Sequence, residues 1–151
     1  MSTPSFSEMF GRLIRAEGQG RPAKTVEVFG WIILVQGSLM LFAPHLVASV
    51  LGLPALAEQA ANYLRLAGLL VGGLGMIYVV SGRLNAEGFV FASLLDRPLV
   101  PVIMAVMWLQ GFIPGPLALA FSISDFASFL WTLSAWRAQQ RHGRAGSVPA
   151  P

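Results

Sequence analysis

Residues 63–82 read YLRLAGLLVGGLGMIYVVSG, twenty positions that carry one charge, Arg65. About 20 apolar residues at 1.5 Å rise each are what an α-helix needs to cross the ~30 Å hydrocarbon core of a bilayer. Positions 65, 68, 72, 75, 79 and 82 fall on one helical face and read Arg, Gly, Gly, Gly, Val, Gly. Helices associate in lipid by close backbone packing, because lipid tails are as apolar as the side chains. Gly68, Gly72 and Gly75, with the GxxxG pair 68/72, are therefore expected to press this span against another helix of the bundle. A second copy of the chain or a ligand groove are the other uses of such a face.

Working outward, the chain of 151 residues is 55% hydrophobic and 11% charged. A soluble domain carries roughly 25% charged residues. The few charges crowd residues 8–27, 83–97 and 137–144 and leave span-length apolar stretches between them. Span one begins near Val26 and runs to Pro44, which kinks or ends it. After Leu53-Pro54 a second helix starts with interfacial turns around Glu58, Gln59 and Asn62, and its membrane part is 63–82. Residues 83–97 read as an interfacial connector. Span three runs from Pro98 to Ile113, with Pro98 and Pro101 in its first turn, where a missing amide donor costs little. Span four follows the Pro114-Gly115-Pro116 turn, from Leu117 to Trp136.

Ahead of the spans, Ser5-Phe6-Ser7-Glu8 has the spacing of a helix-capping box. Phe6, Met9, Phe10, Leu13 and Ile14 follow at helical spacing, with Arg12 and Arg15 opposite, as in a helix lying on a membrane surface. No cleavable leader is expected, since Glu8 and Glu17 interrupt the first 25 residues and no continuous apolar core follows a basic start. The organisation expected is thus residues 1–25 as a cytoplasmic amphipathic helix and linker, 26–136 as an all-α, antiparallel four-helix transmembrane bundle, and 137–151 as a disordered cytoplasmic tail.

Topology follows from the basic residues. With the N-terminus inside, nine of the ten Lys and Arg lie on the cytoplasmic side, and the tenth, Arg65, lies within span two. The positive-inside rule then places both termini in the cytoplasm. The net charge of +3 is accounted for by these flanking residues, so nucleic acid is not an expected partner. The absence of cysteine excludes disulfides and thiolate chemistry. His45 and His142 are too far apart to suggest a metal pair. No nucleotide-binding or hydrolase motif occurs, so no catalytic residue, metal or cofactor is assigned.

The informative residues are polar ones inside apolar runs. Asp125 lies in ISDFAS, residues 123–128, on a face with Ser128 and Thr132. Ionised Asp or Arg at mid-membrane costs roughly 2.5–3.5 kcal/mol on insertion scales, so each needs a partner or an escape. Several arrangements stand open. Arg65 and Asp125 pair across spans two and four, directly or through water; Arg65 reaches back to the external interface beside Asn62 and Glu58; Asp125 is neutral and hydrogen-bonded to a serine or a backbone carbonyl; or each finds another partner. Gln36, Gln110, Trp108 and Tyr78 complete a candidate polar pocket with these two, suited to a small lipophilic ligand.

The order of features resembles small four-helix bacterial membrane proteins of the DoxX-like and BphX-like kind. The parts that carry the resemblance are Phe42-Ala43-Pro44, Leu51-Gly52-Leu53-Pro54, Tyr63-Leu-Arg65-Leu-Ala-Gly68 opening a glycine-rich span, and Asp96-Arg97. It implies the four-helix topology in a bacterial inner membrane. It also implies kinship with accessory subunits of quinone-linked membrane oxidoreductases. The function expected is an accessory or scaffolding subunit that meets the lipid bilayer and a membrane-protein partner or a second copy. Lipophile binding (a quinone, sterol-like or aromatic molecule) around Asp125 and proton-linked transport are the alternatives.

Overall fold

The structure, a computed structural model, describes residues 4–145. Seven helices follow one another: α1 (Phe6–Arg15), α2 (Arg21–Phe42), α3 (Pro44–Val50), α4 (Glu58–Arg83), α5 (Glu87–Asp96), α6 (Leu99–Leu109) and α7 (Gly115–Ala145). No strand occurs among the described residues. Four stretches are long and apolar enough to cross a membrane: α2, α4, α5 with α6, and α7 as far as Arg141. The chain is a multi-pass membrane protein built as a helical bundle.

Local sequence explains most boundaries. Ser5 caps α1 in a complete capping box, its hydroxyl accepting from the Glu8 amide and the Glu8 carboxylate accepting from the Ser5 amide at 2.7 Å. That backbone hydrogen bond, helped by the Ser5 hydroxyl, holds the Glu8 carboxyl below the usual carboxylate range. Pro44 separates α2 from α3: the residue before a proline is pushed out of the helical region, and Ala43 sits at φ −133°. α1 is hooked to the bundle by Arg83, whose guanidinium donates to the Leu13 and Ile14 carbonyls at 2.8 and 2.9 Å and faces Glu27 at 3.5 Å. Glu27, which the sequence gives no evident task, also accepts from Gln19 at 2.7 Å. Phe6, Phe10 and Ile14 stay exposed along α1.

The closest helix pair is α2 with α4, and glycines make it so. A methyl built on Gly75 would stand 2.5 Å from the Leu34 nitrogen, and one on Gly68 would stand 2.6 Å from that of Leu41. From the other helix, a methyl on Gly30 would stand 2.6 Å from the Val79 nitrogen. The two backbones therefore touch along an antiparallel seam, which uses the glycine face of span two within the chain. Gly72 is the exception, since a methyl there would meet nothing closer than 3.9 Å.

Three boundaries differ from expectation. α2 starts at Arg21, five residues before Val26, because Pro22 in its first turn suits a helix start. α7 continues through Trp136 to Ala145, so much of the supposed tail is helix; residues 146–151 lie outside the described part. Most consequential, the supposed connector 83–97 contains α5, which packs against α2, α4, α6 and α7. Pro98 and Pro101 do fall at the start of α6, but the span itself begins at Glu87. Neither proline can donate the backbone hydrogen bond of a continuous helix, and the interruption at residues 97 and 98 leaves Arg97 at the junction of α5 and α6.

Candidate functional site

Arg97 is the centre of the bundle's polar interior and is 0% exposed. It stands at the junction of α5 and α6, and its side chain meets three other helices. Nη1 donates to the Thr132 hydroxyl at 2.8 Å and to the Ser128 carbonyl at 3.2 Å, both on α7. The guanidinium carbon lies 4.3 Å from the centre of the Phe29 ring on α2 and 5.2 Å from that of Tyr78 on α4. Stacking of arginine on aromatic faces is strongest where water is excluded, at about 2 kcal/mol or more. Phe29 and Tyr78 meet edge to face at 5.7 Å, and Tyr78 meets Phe89 of α5 at 4.8 Å.

Hydroxyls extend the centre. Thr25 of α2 donates to the Pro22 carbonyl at 2.7 Å and meets Thr132 at 2.9 Å, so a chain of polar bonds runs from the start of α2 to the guanidinium. Thr25, Ser93, Ser128 and Thr132 are all buried. The two serines bond locally, Ser93 to the Val90 carbonyl and Ser128 to the Asp125 carbonyl, each at 2.8 Å. Depth can be counted along the helices. Phe29 lies eight residues past Arg21 and Thr132 five before Arg137. At 1.5 Å per residue the guanidinium thus sits roughly 8–12 Å inside the end that carries the basic residues.

Two donors remain open. Nε and Nη2 of Arg97 have no hydrogen-bond partner, and among the described residues they are the buried side-chain atoms so left. A buried donor without an acceptor costs about 1–3 kcal/mol, and the cation itself needs a counter-charge. Asp125 and Asp96 lie within electrostatic range of Arg97, but no ion pair joins either acid to it. Asp125 is half-buried, and its carboxylate makes no direct hydrogen bond.

The site expected from sequence is only partly assembled. Arg65 does not pair with Asp125. It is partly exposed and donates to Asn62 at 2.8 Å, reaching back along its own helix. The reason is architectural: α2 packs against both α4 and α7, while those two helices do not touch. Tyr78 does join the centre, at Arg97. Gln36 is half-buried on α2, while Gln110 and Trp108 are exposed at the far end of α6 and the turn after it. Trp108 lines a cleft of about 400 Å³ with Ala105, Gly115, Ala118, Leu119 and Ser122. Asp125 lines neither this cleft nor one of about 160 Å³ at the opposite end, between Pro22, Asn85, Val90 and Trp136. No group of three or more metal-ligating side chains occurs among the described residues.

Arg97 itself escaped the reading of the sequence. Asp96-Arg97-Pro98 looks like a charged doublet at a membrane edge followed by a helix start. The available signal was the apolar run of α5, GFVFASLL, which continues the hydropathy of α6 across the doublet. Comparison with family models, with curated proteins and with solved structures finds no match.

Proposed function

We propose that the chain is a non-catalytic, four-span accessory or scaffolding subunit of a membrane assembly, seated in a bacterial inner membrane with both termini cytoplasmic. The observation that carries this reading is the sealing of its polar centre. Arg97 has no exposed surface and its made bonds tie α7 to the α5–α6 junction, with rings of α2 and α4 closing over it. A substrate reaches such a group only if helices part, whereas a helix-locking group works where it stands.

Two further features suit a subunit. α6 buries none of its residues and packs only against α5 and α7, leaving an apolar face for a neighbouring protein helix or lipid. α1 presents Phe6, Phe10 and Ile14 on the side where eight of the ten basic residues remain once Arg97 and Arg65 are set aside. The resemblance to DoxX-like and BphX-like proteins favours a quinone-linked oxidoreductase as the assembly. Extraction in mild detergent followed by native mass spectrometry tests the reading. A complex heavier than the chain, containing a second membrane protein, is expected; a lone monomer under the gentlest extraction overturns it.

A second reading rests on the open Nε and Nη2 of Arg97, which suit an acceptor oxygen of a small lipophile. In the same spectra it requires a retained apolar molecule that disappears in Arg97→Met.

A further inference from the structure

At the basic end of the bundle an open groove of about 540 Å³ runs down the seam of α2 and α7, between Arg21, Lys24 and Val28 on one side and Trp131, Ser134 and Ala135 on the other. Its polarity is graded along the helices. Arg21 and Lys24 stand at its mouth, in the first turn of α2, and Val28, Trp131 and Ala135 line it farther in. Both cations are exposed, and neither makes a hydrogen bond or ion pair.

Their placement is electrostatically costly in the bare protein. The N-terminus of a helix carries about half a positive charge, so acids are favoured in its first turn and bases are not. α2 has no acid in that turn, and Gly20 supplies no side-chain cap. Two cations are thus added to an already positive end with nothing to neutralise them. The indole N–H of Trp131, a residue 49% exposed, also has no acceptor.

We infer that this groove is a binding site for one anionic diacyl phospholipid, with its phosphodiester at Arg21 and Lys24 and an acyl chain along Val28, Trp131 and Ala135. Basic pockets between spanning helices recognise anionic headgroups through this combination of charge and apolar wall. The graded lining selects a lipid over a free anion, which has nothing to place against the apolar part, and over an apolar molecule, which leaves the cations unpaired. The inference does not depend on the accessory-subunit reading, because a bare monomer carries the groove.

The test uses the purified full chain in detergent, titrated with phosphatidylglycerol or phosphatidylcholine of matched acyl chains and read by native mass spectrometry. Phosphatidylglycerol adducts are expected to dominate. Arg21→Gln with Lys24→Gln removes the preference, a loss of about thirtyfold for two charges. Arg12→Gln, on α1, leaves it unchanged. Ala135→Trp fills the groove and abolishes retention while keeping both cations, so the test survives poor accumulation of the charge variant. Equal retention of the two lipids, or a preference that survives either groove variant, overturns the site. So does protection by inorganic phosphate alone that matches the lipid's in a thermal melt, since that assigns the cations to a free anion.

Discussion

Arg65 and Arg97 are both guanidiniums within apolar stretches, and physical context sends them opposite ways. Arg65 lies within two turns of the start of α4 and reaches back to Asn62, which keeps its charge near polar surroundings. Arg97 is held between two rings, two α7 acceptors and a distant acid, with two donors unmet. Removing it deletes those bonds and takes from Asp125 the cation that acts on it electrostatically. Arg97→Met should therefore lower unfolding stability in detergent by about 3 kcal/mol, the low end for breaking a buried charge arrangement. Asp125→Asn alone should cost less, because no direct bond is lost. The double variant should then lose about 1 kcal/mol less than the sum of the singles, since each substitution removes the other's unpaired charge. Thermal and denaturant melts of all four proteins measure this. Strict additivity would mean that the two residues do not interact and that Asp125 has no share in the centre.

The helices themselves were legible in the sequence wherever apolar length and a breaker agreed. The capping box, the break at Pro44 and the spans α2, α4 and α7 follow from residues that have one structural use. Pro98 and Pro101 have two, since a proline suits the first turn of a helix and equally bends a longer one. Only the neighbours that α5 finds in three dimensions decide between them, and that ambiguity hid Arg97. The glycine face of α4 was legible as a face but not as a register. Its partner positions, Gly30 and Gly37, lie seven residues apart on α2, which is two turns and the reciprocal half of the same signal. Nor does periodicity separate Gly72, on the same stripe, from its neighbours. Gly75→Ala would drive a methyl into the Leu34 backbone, which has no rotamer with which to yield, and should cost about 2 kcal/mol or more. Gly72→Ala meets only ordinary contact distance and should be neutral or stabilising by up to ~1 kcal/mol through helix propensity. Paired melts of the two variants check the seam, and an equal loss from both would contradict this register.

At the scale of the whole molecule, moving Arg97 from the membrane edge to the interior changes the charge count on which orientation depends. Eight basic residues remain for one end, and Arg65 is the one basic residue toward the other. The bias survives because the orienting charges are those near span ends, whereas a cation already bonded within the bundle contributes little to holding a loop on one side. Helix α1 strengthens it: pinned by Arg83 to the same end, it adds Arg12 and Arg15 to the face formed by Arg21, Lys24 and Arg137. In the proposed orientation that face is cytoplasmic, and the turn at residues 110–114 is external. A fluorescent protein fused after residue 151 should therefore mature and fluoresce, while a phosphatase fused there stays inactive. A phosphatase joined after Ile113 should be active instead. Because two independent reporters are read at two points separated by one span, an inverted protein gives the complementary pattern at both. A mixed population gives signal from each reporter at each point. The groove at Arg21 and Lys24 shares this dependence in the cell, since only a cytoplasmic face meets the anionic inner leaflet and its negative surface potential. Orientation and lipid selectivity are thus two expressions of one asymmetry in charge, the first set during insertion and the second acting in the finished bundle.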